Sequence, residues 1–145
     1  MAEALLRRLG RGAFEVFSAG NRPANQVSAH TLETLRQAGY DVSTLQAKSW
    51  DVFVKPTAPN LDVVVSLDKS LKNGPFPIWY SNPVHVHWPF VDPLTLGTED
   101  GERQGAHRRL YGDMEQQILK LMGLNLIGLA DHALRDKLAT IAPKL

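Results

Sequence analysis

The sequence predicts an α/β domain built on a doubly wound, three-layer parallel sheet. Amphipathic segments of helical period alternate along the chain with short apolar, β-branched runs. One of those runs, Leu61-Asp62-Val63-Val64-Val65-Ser66-Leu67, is almost continuously apolar, the pattern of a strand covered on both faces and therefore central in a parallel sheet. At 145 residues, 43% of them hydrophobic and 21% charged, the chain can enclose one core, and with no linker to divide it residues 1–145 are expected to form a single domain.

Each element has its own justification. In MAEALLRRLG, Met1, Ala4, Leu5 and Leu9 recur at helical spacing while Glu3, Arg7 and Arg8 take the other face, and Gly10 and Gly12 stop the helix. Alternation over residues 14–18, from Phe14 to Ser18, predicts a short strand closed by Ala19-Gly20-Asn21 and Pro23. Residues 28–38 form a second helix, with Ala29, Leu32, Leu35 and Ala38 inward, Ser28 as N-cap and Gly39 as C-cap. A short helical turn is expected at residues 49–54, ended by Pro56. After the valine-rich strand and Pro83, residues 84–88 read as another short strand, followed by the loop 89–93, which should sit at that strand's C-terminal end. Residues 102–122 are the longest helix, with Ala106, Leu110, Met114, Ile118, Leu121 and Met122 on one stripe, and residues 130–141 make a last helix before Pro143.

Composition excludes several functions. The net charge is +1 and the 16 basic residues are scattered, which argues against a nucleic-acid or anionic-membrane partner and leaves a small anionic substrate open. There is no cysteine, hence no disulfide, thiolate metal site or cysteine nucleophile within these residues. No apolar run is long enough to span a bilayer, and Arg7 and Arg8 interrupt the first helix where a signal peptide would be apolar, so the cytoplasm is the expected location. No Gly-rich phosphate loop or serine nucleophile elbow is present, and nothing calls for a cofactor.

The segment HVHWPFVDP carries the strongest chemical signal. An Asp-Pro pair just after a strand places the Asp92 carboxyl at the rim of an α/β crevice, and Pro93 restricts Asp92 to extended backbone angles, so Asp92 is a candidate general acid. The competing reading is that Asp-Pro simply starts a turn. His85 and His87 share one strand face and can be two metal ligands, but no third ligand has convincing spacing; imidazoles satisfied by hydrogen bonds are the alternative. His30, His107 and His132 fall in helices with nothing to single them out.

Taken in order, MAEALLRRLG, FEVFSAG, LRQAGYDVS, AKSWDVF, DVVVSLD, HWPFVDP and GTEDGERQGAHRRLYGDMEQQI resemble the arsenate reductases built on the low-molecular-weight protein tyrosine phosphatase fold. The tail LMGLNLIGLADHALRDKLATIA resembles the C-terminal extension of bacterial members. The resemblance implies a nucleophilic cysteine on a loop of cysteine, five residues, arginine and serine, carried by a hydrophobic strand; this sequence begins just after that point. It implies that Asp92 is the general acid and that Ser18 is the serine that holds an asparagine of the loop in shape. Glu3 and Lys48 match positions near the loop, where some members bind a cation that the Lys48 ammonium would replace. Where thioredoxin-coupled members carry two further cysteines, Asp68 stands at the first position and Gly74, to within a residue, at the second, so an internal disulfide relay is not expected. The implied partners are a small oxyanion, arsenate or a phosphate ester, once a cysteine loop is present, and an external thiol reductant.

In the resembled fold the absent strand lies between the SAG and DVVVS strands. Leaving it out uncovers two strand edges whose buried amides and carbonyls cost about 1 to 3 kcal/mol each, against a net stability of about 5 to 15 kcal/mol for a domain. Three routes would relieve this: closure of the flanking strands, a strand donated by another chain, as in a homo-oligomer joined through the exposed edges, or a polypeptide that starts upstream. The last is the simplest expectation, that of an N-terminally truncated and inactive chain, with a non-catalytic binding or regulatory pseudoenzyme as the alternative.

Overall fold

The computed structural model describes residues 1–144. Four α-helices, α1 (Ala2–Leu9), α2 (Ala29–Gln37), α3 (Asp100–Met122) and α4 (Asp131–Thr140), accompany two strands, β1 (Val63–Asp68) and β2 (Val84–Phe90), in the order α1, α2, β1, β2, α3, α4. The strands pair in parallel, so the class is α/β with a parallel sheet. The chain forms two compact units, Met1–Trp50 with Asp92–Leu119, and Asp51–Val91 with Lys120–Leu145.

In the first unit, α1 buries Ala4 and Leu5. Helix α2 ends as expected at a glycine: Gly39, at φ +80°, lets its own amide bond the Arg36 carbonyl and the Tyr40 amide bond that of Leu35, closing the last turn. Helix α3 begins two residues before the predicted start, because the Glu102 carboxylate turns back to accept from the amides of Thr98 (2.9 Å) and Glu99 (3.4 Å). Those amide bonds hold the Glu102 carboxyl below its ordinary pKa. Of its predicted apolar stripe, Ala106, Met114, Ile118 and Leu121 are buried.

The strand expected at residues 14–18 does not form. Side-chain alternation describes which face is apolar, but a strand also needs a hydrogen-bonded neighbour. Among the described residues the ladder contact here is a parallel bridge from Gly20 to Ser49, and the Val16 carbonyl is taken instead by the Arg7 guanidinium at 2.9 Å. The bridge ties two extended segments together, with the Gly20 amide on the Lys48 carbonyl and the Trp50 amide on the Gly20 carbonyl, both at 3.0 Å.

In the second unit a 3-10 turn at Trp50–Phe53 matches the predicted short helix and buries Phe53. Strand β1 pairs Val63, Val64, Val65 and Ser66 with Val84, His85, Val86 and His87 of β2, and the register slips before Asp68 meets Phe90. The expectation that β1 is central and covered on both faces is not met: its valines are half-buried, and among the described residues it has a strand on one side only. Strand β2 runs two residues further than predicted, into the expected loop. It alternates, with Val84, Val86 and Trp88 buried on one face, and the Trp88 indole N–H donates to the Leu138 carbonyl of α4 at 3.0 Å.

On the other face, the His85 ring meets the edge of Phe76 at 3.8 Å between centroids, and its Nε2 is buried without a hydrogen-bond partner among the described residues. Burial first, then His87 and Arg135, holds the His85 imidazole below its ordinary value of 6.5. The unfolded chain therefore takes up this proton before the folded one does, so stability should fall as the pH drops below about 6.5 and level off only below the folded pKa. Urea midpoints measured at pH 7.5 and pH 5 should show this loss in the native chain and a smaller one in His85→Gln.

Candidate functional site

The first unit gathers a polar knot around Glu3. Glu3 lies on the inward side of α1 and is only 6% exposed, although the helical pattern assigns it to the polar face. A buried carboxylate needs opposite charge and donors to offset the loss of water. Three groups provide them: the Ser18 hydroxyl donates to Oε2, the Lys48 ammonium lies 3.4 Å from the same oxygen, and the Arg7 guanidinium reaches Oε1 at 2.7 Å. Ser18 and Lys48 come from the two segments joined at the Gly20 bridge, so the backbone pairing delivers both to one carboxylate.

Three of the four sequence-predicted site residues, Glu3, Ser18 and Lys48, are thus brought together. Arg7 was missed as a member, although its place four residues after Glu3 on one helix is the spacing that makes such a pair. The neighbouring cleft of about 310 Å³, lined by Arg7, Arg8 and Tyr40, offers no unengaged guanidinium. Arg7 is held by Glu3 and Val16, and Arg8 donates to the Ala38 carbonyl at 3.1 Å while stacking 4.4 Å over the Tyr40 ring.

Asp92 stands two residues beyond the end of β2, at a strand's C-terminal end as the sequence implies. Its backbone is extended (φ −66°, ψ 116°), as a residue before proline should be. Its Oδ1 accepts the Leu94 amide at 2.9 Å, and its carbonyl accepts the Thr95 amide at 3.0 Å and the Thr95 hydroxyl at 2.7 Å. The turn fixes the direction of an exposed carboxyl group whose Oδ2 has no partner among the described residues. The turn of the sequence reading forms, and the carboxyl group stands exposed beside it. Asp92 makes no hydrogen bond or ion pair with Glu3, Ser18 or Lys48 among the described residues.

The two strand histidines have separate surroundings. His87 Nδ1 shares a 2.8 Å hydrogen bond with the Ser66 hydroxyl, while His85 packs on Phe76. Among the described residues no group of three or more His, Asp or Glu is placed to hold a metal ion, and no helix is long and apolar enough to cross a membrane.

The family model for low molecular weight phosphotyrosine protein phosphatase matches residues 1–128. The chain belongs to that family. The match covers α1 through α3 and both strands; α4 lies beyond it. Two solved structures share the phosphatase-family fold: an arsenate reductase in its reduced state, with a TM-score of 0.59, and an arsenate reductase in the phosphate-binding state, with a TM-score of 0.58. Each is 20% identical in sequence, over 84% of this chain and 85% of the other. Comparison with curated proteins finds no match.

The Glu3 knot has a measurable consequence. Removing the carboxylate in Glu3→Ala leaves Lys48 and Arg7 without their shared counter-charge, and should lower the unfolding free energy by about 2 to 4 kcal/mol. Glu3→Gln, which keeps the shape and an acceptor, should lose less. Urea denaturation of both variants checks the order.

Proposed function

We propose that this chain is the scaffold of an oxyanion-handling site, for arsenate or a phosphate monoester, in which Asp92 is the general acid and the Glu3, Ser18 and Lys48 knot supports a cysteine-bearing loop. The observation that carries this reading is the survival of the knot as a closed unit. A buried carboxylate with a hydroxyl and an ammonium on one oxygen costs desolvation that an apolar contact between the same segments would not, and it fixes three polar groups in one place. The ammonium of Lys48 takes the place that a bound cation would occupy beside Glu3.

The chemistry follows from what such a loop supplies. Backbone amides and a guanidinium around a tetrahedral oxyanion lower the thiolate pKa and stabilise the charge that develops on displacement. Sulfur attacks phosphorus or arsenic, the bond to the leaving oxygen breaks, and Asp92 passes its proton to that oxygen. The rigid turn at Asp92 leaves Oδ2 for that proton. With one active-site cysteine and no internal relay, water cleaves the sulfur–phosphorus bond to release phosphate, or an external thiol attacks the arsenic-bound sulfur. In the second case the electron pair of the sulfur–arsenic bond leaves with arsenite, and a mixed disulfide forms that a second external thiol reduces.

The absence of cysteine from these 145 residues favours a second reading, a non-catalytic binding or regulatory module on the same scaffold. The side of β1 that no strand covers among the described residues suits a homo-oligomer in that case.

The 145-residue chain assayed alone should turn over neither arsenate nor p-nitrophenyl phosphate above blank. Extension at Met1 by a hydrophobic strand and a loop of cysteine, five residues, arginine and serine should produce p-nitrophenyl phosphate turnover. In that extended protein Asp92→Asn should reduce the rate by about 100-fold or more. A folded extended chain without turnover favours the second reading, and turnover by the 145 residues alone contradicts both.

A further inference from the structure

Ser28 occupies the N-cap of α2 but does not cap it: its side chain makes no bond to the first-turn amides. A serine at this position ordinarily stabilises its helix by about 1 kcal/mol through that bond. Here the hydroxyl points instead to α3, where Oγ lies 3.4 Å from Nε2 of His107.

The protonation pattern of His107 follows from its other nitrogen. Nδ1 is 2.8 Å from the Arg103 carbonyl, which can only accept, so Nδ1 carries the hydrogen. In the neutral imidazole Nε2 then holds a lone pair, and the Ser28 O–H donates to it. The ring is 1% exposed and fixed in place, with the His30 ring 5.2 Å away at 41°. His30 is in turn held by Gln104 at 3.0 Å and lies 3.3 Å from Asp100, and Gln104 also bonds the Thr34 hydroxyl at 2.9 Å. A hydroxyl, a base with its lone pair directed at that hydroxyl, and a third group fixing the base form the arrangement that activates a serine. The uncapped amides of Ala29, His30 and Thr31 lie at the positive end of the same helix, and Ser28 itself is half-buried rather than sealed.

We propose that Ser28 and His107 form a serine–histidine dyad reactive toward activated acyl and sulfonyl compounds, a site that uses none of the residues of the Glu3 knot or the Asp92 turn. With an activated carboxylic ester, Ser28 Oγ bonds the carbonyl carbon while its proton moves to His107 Nε2. The carbon–oxygen bond to the leaving alcohol then breaks, and Nε2 returns the proton to that oxygen. Water, deprotonated by the same nitrogen, releases the acid and restores the serine. With a sulfonyl fluoride, the oxygen–sulfur bond forms, the sulfur–fluorine bond breaks, and hydrogen fluoride leaves.

Phenylmethanesulfonyl fluoride applied to the 145-residue chain, read by intact mass and peptide mapping, tests the dyad. One adduct at Ser28 is expected, absent in Ser28→Ala, with a labelling rate at least about 100-fold lower in His107→Gln at unchanged circular dichroism. Should His107→Gln fail to fold, the pH profile of the native chain decides. Labelling assisted by an imidazole rises as that group loses its proton and then levels off, whereas an unassisted hydroxyl follows hydroxide without a plateau. No adduct, adducts spread over several serines, a rate indifferent to His107→Gln, or a profile without a plateau overturns the proposal.

Discussion

The organisation of the first unit depends on one buried carboxylate. Glu3 ties α1 to the two extended segments joined at the Gly20 bridge, because Ser18 and Lys48 each lie close to that bridge and both bond Glu3 Oε2. The cost of burying the charge is offset only while all the partners are in place, so the knot behaves as a unit. Under the proposed function, a loop resting on the knot would meet groups already fixed in position.

The second unit shows what happens to a strand with too few neighbours. β1 has the composition of a buried central strand, three consecutive valines among them, yet among the described residues it pairs with β2 alone and its valines remain half-buried. Strand β2 is better secured, since its inward face packs with α4 and the Trp88 indole is satisfied by the Leu138 carbonyl. An apolar strand with an open side is a place for another strand to add, which fits both readings of the function.

Much of the fold was legible in the sequence, and the failures have a common cause. Helical period, the Gly39 stop and the Asp92-Pro93 pair are local signals, and α1, α2, α3 and the Asp92 turn follow from them with boundary errors of a residue or two. Pairing is not local. Nothing in residues 14–18 reports the lack of a partner strand, and nothing in the valine run of β1 reports how many neighbours it has. The knot was accessible only through the resemblance, which named Glu3, Ser18 and Lys48 without their geometry. His107 was passed over because its partner Ser28 is 79 residues away in sequence, a contact that no periodicity encodes.

The central claim is that the Glu3 carboxylate holds the two extended segments together. Amide hydrogen exchange at Gly20 and Trp50, whose N–H groups form the bridge, tests it most directly in the native chain and in Glu3→Gln under conditions where both are folded. Weaker protection of these two amides in Glu3→Gln, with the β1–β2 amides unchanged, is the predicted result. Equal protection of Gly20 and Trp50 in the two proteins would contradict the account, since the bridge would then stand without the carboxylate.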